Sequence, residues 1–206
     1  MTDADGYGRT RRTLHGIAEL VLAGPQHRAS GTIRLRATPG GFGGVDGRLR
    51  VEGAELVGPA GRWPLTGTYR ELAASAGVEV GAPQGVYPDT TGVDPDERID
   101  LDPAAATELT GWFGTGDAAL RAFAPDVEPV LWPEHFDLAV TVDEVNYGVS
   151  PGDAGDPGRY AYVGPWTPRR GGFWNAPFGA LRTPDELPDA AALTAFFAEG
   201  RRLAAG

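Results

Sequence analysis

The chain has 206 residues, 41% hydrophobic and 22% charged, with a formal net charge of −10. That is the composition of a globular protein about one domain in size, and it excludes disorder throughout. Cysteine and lysine are both absent, all 18 basic residues being arginine. Disulfides, thiolate nucleophiles, zinc ribbons, thiolate-held iron–sulfur clusters, Schiff bases and P-loops are therefore excluded.

The acidic balance, with no long arginine run, argues against a nucleic-acid partner. No stretch of about 20 apolar residues offers a membrane span. The lack of cysteine is compatible with a reducing cytoplasm, which is the expected location.

Residues 1–12 are expected to be a flexible N-terminus, and 13–206 a single α+β domain with a candidate subdomain junction near 81–100. "RTRRTLHGIAELVLAG" has the twin arginine of some export signals, but it carries His15 and Glu19. Its apolar residues Leu14, Ile17, Ala18 and Val21 recur at helical spacing, which predicts an amphipathic helix over 13–22 ending at Gly24–Pro25. "GTIRLRAT" alternates as a strand, "PGGFGGVDG" reads as a glycine-rich hairpin loop or flap, and "RLRVEGAELVG" resumes strand. That loop is not a phosphate cradle, because the third glycine position is Asp46 and a strand follows instead of a helix. "TYRELAASAGV" predicts a short helix with Thr66 or Thr68 at its N-cap.

Residues 81–100, rich in Pro, Gly and Asp, form a long connection, either a linker or a lid over a pocket. Asp102 and Pro103 open a helix as N-cap and N1. Asp117 can cap a second short helix, "AALRAFA". Thr183-Pro-Asp-Glu186 reads as a capping box opening a C-terminal helix with Leu193, Phe196, Phe197 and Leu203 on one face. The sum is an α+β fold of antiparallel sheet built from hairpins with peripheral helices.

"GVSPG" (148–152) matches the nucleophile-elbow pattern, but it leads into another strand and no histidine follows His135. Asp153 and Asp156 lack the spaced oxygens and closing glutamate of a calcium loop, so turn chemistry is the better reading.

The stretch "LWPEHFDLAVTVDEVNYGVSPGD" (131–153) carries the most information. Phe136, Leu138, Val140 and Val142 alternate on one face of a strand, with His135, Asp137 and Thr141 on the other. At Asp143–Glu144 the phase slips to Val145, Tyr147 and Val149, as a β-bulge would produce. The polar face would then continue through Glu144, Asn146 and Ser150. Residues 159–166 are its hairpin partner. Such a ridge is either the wet side of a half-buried sheet or an acid–base site. His135 would be the acid/base, oriented by Asp137, with Glu144 and Asn146 completing the catalytic set. A metal would need a third ligand from Asp143, Glu144, His15 or His27, and none is expected to be bound. The candidate ligand-binding residues are Trp132, Tyr147, Tyr160, Tyr162, Trp166, Trp174 and Asn175, an aromatic-rich block that suits sugars or aromatic ligands.

The motifs "LWPEHFDLA", "NYGVSPGD", "YAYV" and a late "FGA" resemble a family of uncharacterised bacterial proteins of unknown function. "TLH" and "GTIRLRATP" extend that resemblance over about 13–203. The chain departs from the family pattern at Thr32, where lysine is common, and at "GGFGG", where a polar–aromatic cluster is frequent. The resemblance implies no activity, cofactor or catalytic residue. The function expected is binding or transformation of a small molecule, with no cofactor. The alternatives are a non-catalytic binding module with Trp132, Trp166 and Trp174 as platform, or an interaction protein forming a homodimer.

Overall fold

The computed structural model describes residues 4–88, 90–153, 155 and 158–206. Asp156, weighed above for calcium, lies outside them. The chain forms two compact units, Met1–Gly111 with Leu131–Phe136, and Trp112–Val130 with Asp137–Gly206. The elements are helical and antiparallel, an α+β fold.

Unit 1 opens on α1 (Ala4–Ile17), a π-helical turn (Ala18–Ala23) and α2 (Gly24–Ser30), continuous with one another. The helix thus begins well before Thr13 and passes through Gly24–Pro25, where a stop was expected. Pro25 sits in the first turn of α2, but the helical turn before it leaves one carbonyl without the donor that proline lacks. Gly31, at φ 77°, ends α2 and donates to the carbonyl of His27. Leu14, Ile17 and Val21 are fully buried, as the spacing predicted.

In the π turn the Gly24 N–H bonds to the carbonyl of Glu19. The next residue in that register is Pro25, which has no N–H to offer Leu20. The Gly81 N–H takes the vacated Leu20 carbonyl at 2.9 Å. The 81–100 connection is held along its length. Arg70 binds Asp96, Arg12 binds Glu97, and the Thr13 hydroxyl donates to the Asp100 carbonyl. It is a strap on the helices of unit 1.

Five strands follow as a meander: β1 (Leu35–Thr38), β2 (Gly41–Gly44), β3 (Arg50–Glu52), β4 (Glu55–Gly58) and β5 (Gly61–Pro64). β6 (Val130–Trp132) pairs with β1 through Leu131 and Leu35. The "GGFGG" segment, expected to be a loop, is therefore β2. Its glycines permit close approach: a β-carbon on Gly41 would lie 1.9 Å from the Val51 carbonyl oxygen. Phe42, between them, is fully buried. α3 (Tyr69–Ser75) starts at Thr68 with a reciprocal capping box to Glu71.

α4 (Pro103–Phe123) is one helix where two were expected. Asp102 accepts from the Ala105 N–H at its start, but Asp117 pairs with Arg121 at 2.9 Å instead of capping. Gly116 keeps the helix close to a strand, since a β-carbon there would stand 2.3 Å from Val149. Among the described residues no helix is long and apolar enough to cross a membrane.

Unit 2 is a second meander, β7 (Asp137–Val142), β8 (Val145–Ser150), β9 (Tyr160–Pro165) and β10 (Ala180–Arg182). The slip at Asp143–Glu144 is not a bulge. β7 and β8 pair Val142 with Val145, and the two residues between have φ 52° and 60°. That is a two-residue turn of the type I′ kind, which shifts sequence phase as a bulge does but reverses the chain.

α5 (Ala190–Ala204) begins at Asp189, whose carboxylate accepts from the Ala192 N–H at 2.8 Å. The Thr183–Glu186 box closes only an isolated turn. Pro188 could not sit inside a helix begun there. α5 covers the side of the sheet carrying Tyr147 and Val163.

Candidate functional site

The register of unit 2 sets two faces. Leu138, Val140, Tyr147, Val149 and Val163 lie on one, against α5. On the other are Asp137, Thr141, Asn146, Ser150, Tyr160 and Tyr162. Asp137 is buried and accepts a hydrogen bond from the Tyr162 hydroxyl. Burial first, then the Asp137 charge, pushes the Tyr162 phenol well up, so it stays a donor. Tyr160 donates to Asp153 at 2.7 Å and is also raised, chiefly by burial.

Asn146 accepts at one oxygen from the Thr141 hydroxyl, 2.8 Å, and from the Trp166 indole N–H, 3.4 Å. Trp166 is 64% exposed. Glu144 lies exposed in the hairpin turn. Tyr147 belongs to the opposite face, with burial pushing its phenol up to about 12. Trp174 packs edge-on against Phe173. Asn175 is spent on β10, accepting from the Leu181 N–H at 2.9 Å.

His135 is not on the strand. It lies in the turn before β7, where Phe136 has φ 53° and breaks the extended run. Strand parity therefore does not carry from Asp137 back to His135. Its ring is exposed, and Nε2 lies 3.2 Å from Glu134. Trp132 stacks under Arg34 in unit 1. The histidine packed against this turn is His15 of α1, which is half-buried. Its Nε2 lies 2.6 Å from the Pro133 carbonyl, so that nitrogen carries the proton. Its ring stacks on Phe136 at 5.1 Å. Burial lowers its pKa against the pull of that hydrogen bond.

Glu19, one turn after His15 and 1% exposed, accepts from the Tyr87 hydroxyl and from the Thr91 N–H and hydroxyl. These bonds satisfy its buried charge and clamp the strap. The signal was present in the sequence as one acid inside the apolar run "GIAELVLA". Among the described residues no group of three or more His, Asp or Glu is placed to hold a metal.

Unit 1 also has a concavity of about 250 Å³. Val21 and Leu22 of the π turn, Leu49 and the indole of Trp63 are its apolar walls. Small residues, among them Ala29, Gly44 and Ala60, keep it open. Three polar residues reach it: Gln26, Asp46 and Arg48.

Gln26 is buried and fully used. Its Nε2 donates to the carbonyls of Thr32 and Arg34 at 3.1 and 2.8 Å, and its Oε1 accepts from the Asp46 N–H at 3.3 Å. Asp46 Oδ1 accepts from the Arg48 N–H at 3.0 Å. Gly44 leaves room beneath this loop, since a β-carbon there would come within 2.7 Å of the Gln26 and Asp46 side-chain oxygens and displace them. The cleft leaves no mark in the sequence, because its residues come from four separate segments and none forms a motif.

No protein-family model, curated protein or solved structure matches this chain.

Proposed function

We propose that the protein binds a small molecule, and that the binding site is the cleft of unit 1 bounded by the π turn, the 44–49 loop and Trp63. The observation that carries this reading is the combination of apolar walls with two charged side chains, Asp46 and Arg48, lining one concavity. The rigid frame supports it. The loop is pinned by Gln26, and the π turn is held through Gly81. The test is thermal denaturation against a small-molecule library. A bound ligand raises the midpoint in a concentration-dependent way. Ala29→Phe, which fills the cleft from an exposed helix position, should abolish the shift without lowering the ligand-free midpoint. A shift untouched by both Ala29→Phe and Trp63→Ala would sink the reading.

A second reading is favoured by Trp166. Its exposed indole is steadied by Asn146, which Thr141 also holds. This is a platform suited to a sugar or aromatic ring, or to a second copy of the chain. Quenching of Trp166 emission by a sugar panel would support the platform. Light scattering that shows a dimer lost on Trp166→Ala would support the interface.

A further inference from the structure

We infer that the occupant of the unit 1 cleft is a zwitterion, a free α-amino acid with an apolar or aromatic side chain. The inference rests on the cleft being the binding site. Asp46 and Arg48 carry opposite charges two residues apart on one loop, and both line the cleft. They do not pair with each other, and neither forms an ion pair with another described residue. Gln26 cannot substitute for them, because both ends of its amide are committed to backbone groups.

The loop that presents the two charges is held by its own hydrogen bonds. The Gly44 N–H bonds to the Leu49 carbonyl at 3.0 Å, the Gly47 N–H to the Gly44 carbonyl at 3.1 Å, and the Asp46 and Arg48 N–H groups are both held. A preorganised loop loses little freedom on binding. An anion alone would leave Asp46 repelling it, and a cation alone would meet Arg48. A zwitterion satisfies both, its ammonium on Asp46 and its carboxylate in the guanidinium fork of Arg48. The side chain then lies along Val21, Leu22, Leu49 and Trp63, where apolar area leaves water.

The experiment is titration calorimetry of the full chain with phenylalanine and leucine, their N-acetyl derivatives and their amides. The free amino acids should bind about 10-fold or more tighter than either derivative. Asp46→Asn, which still accepts the Arg48 N–H, should cut affinity for the free amino acid about 10-fold and leave the N-acetyl derivative unchanged. Arg48→Gln should do the same with respect to the amide. Equal binding of all three forms, lost on Ala29→Phe, would overturn the zwitterion while the cleft stands. Binding that survives Ala29→Phe would remove the cleft as the site. No binding by any of these probes would overturn the zwitterion.

Discussion

Gly24 lies against Gly81 so closely that a β-carbon on Gly24 would stand 1.7 Å from the Gly81 carbonyl oxygen. The same place supplies the Gly81 N–H to Leu20. Backbone meets backbone here, so no side-chain rotation can relieve an added methyl. Gly24→Ala should destabilise the protein by about 3 kcal/mol, at the upper end of overpacking costs. Gly114→Ala is the control. That glycine is within α4, exposed, with open space where its β-carbon would be. The control should gain about 0.5–1 kcal/mol from helix propensity. Chemical denaturation of both variants checks the pair, and equal effects would rule out the backbone contact as the cause.

Tyr147 is fully buried, and its hydroxyl makes no hydrogen bond among the described residues. Tyr162 is its opposite, bonded to buried Asp137. Tyr147→Phe removes an unpaired polar atom and should be neutral or stabilising by about 1 kcal/mol. Tyr162→Phe strips a donor from a buried carboxylate and should cost about 2–3 kcal/mol. Alkaline unfolding separates them further. The raised Tyr147 phenol favours the folded state below pH 10, and that stability is lost as pH rises through about 12. Urea midpoints of both variants across neutral to alkaline pH are the measurement.

How much of this was legible in the sequence depends on the range of the signal. The two faces of β7 and β8 were readable because alternation is local: Asp137, Thr141 and Asn146 share a face, as the spacing said. The Asp143–Glu144 slip was visible but ambiguous, since a bulge and a two-residue turn shift parity alike. His135 was misplaced because one positive φ at Phe136 ends the strand, and no residue-type preference announces a phenylalanine there. "GGFGG" hid a strand because the need for glycine came from Val51 and Arg50 across the pairing. The cleft was invisible for the same reason. Its walls come from distant segments, and only the fold brings Val21, Asp46 and Trp63 together.

His15 offers a pH test. Burial lowers its pKa, opposed by the Pro133 hydrogen bond and the nearby Glu19 charge, while Arg11 and His135 add to the lowering. The folded state therefore prefers the neutral ring. Its contribution to stability is complete above the ordinary value of 6.5 and is lost as pH falls below it toward the depressed value. His15→Gln keeps a donor for Pro133 and removes the titration. The urea midpoint should fall less in this variant than in the parent between about pH 7.5 and pH 5. A parent and variant that lose stability in parallel would show that His15 is not the titrating group.

The Asp143–Glu144 turn sets the β7–β8 register with two residues in left-handed backbone, φ 52° and 60°. Turns of this type favour Asn-Gly or Asp-Gly, since glycine alone enters that region without cost. Asp143 is the tolerated half. It is also anchored by Arg201 from α5 at 2.7 Å, although the exposure of both side chains keeps that bond modest. The Glu144 carbonyl accepts from the Trp166 N–H at 3.0 Å, a bond that glycine would keep, while its side chain makes no hydrogen bond or ion pair among the described residues. Glu144→Gly should relieve roughly 1–2 kcal/mol of left-handed strain. The extra freedom of glycine in the unfolded chain returns part of it, leaving a net gain of about 0.5–1 kcal/mol. Asp143→Gly should gain less, because it also breaks the Arg201 pair. Equilibrium urea unfolding of the two variants and the double variant measures the order. If Glu144→Gly instead destabilises, the glutamate side chain is contributing to unit 2 beyond the turn itself. The small concavity it lines with Tyr147, Arg169 and Arg201 would then be the place to look for its partner.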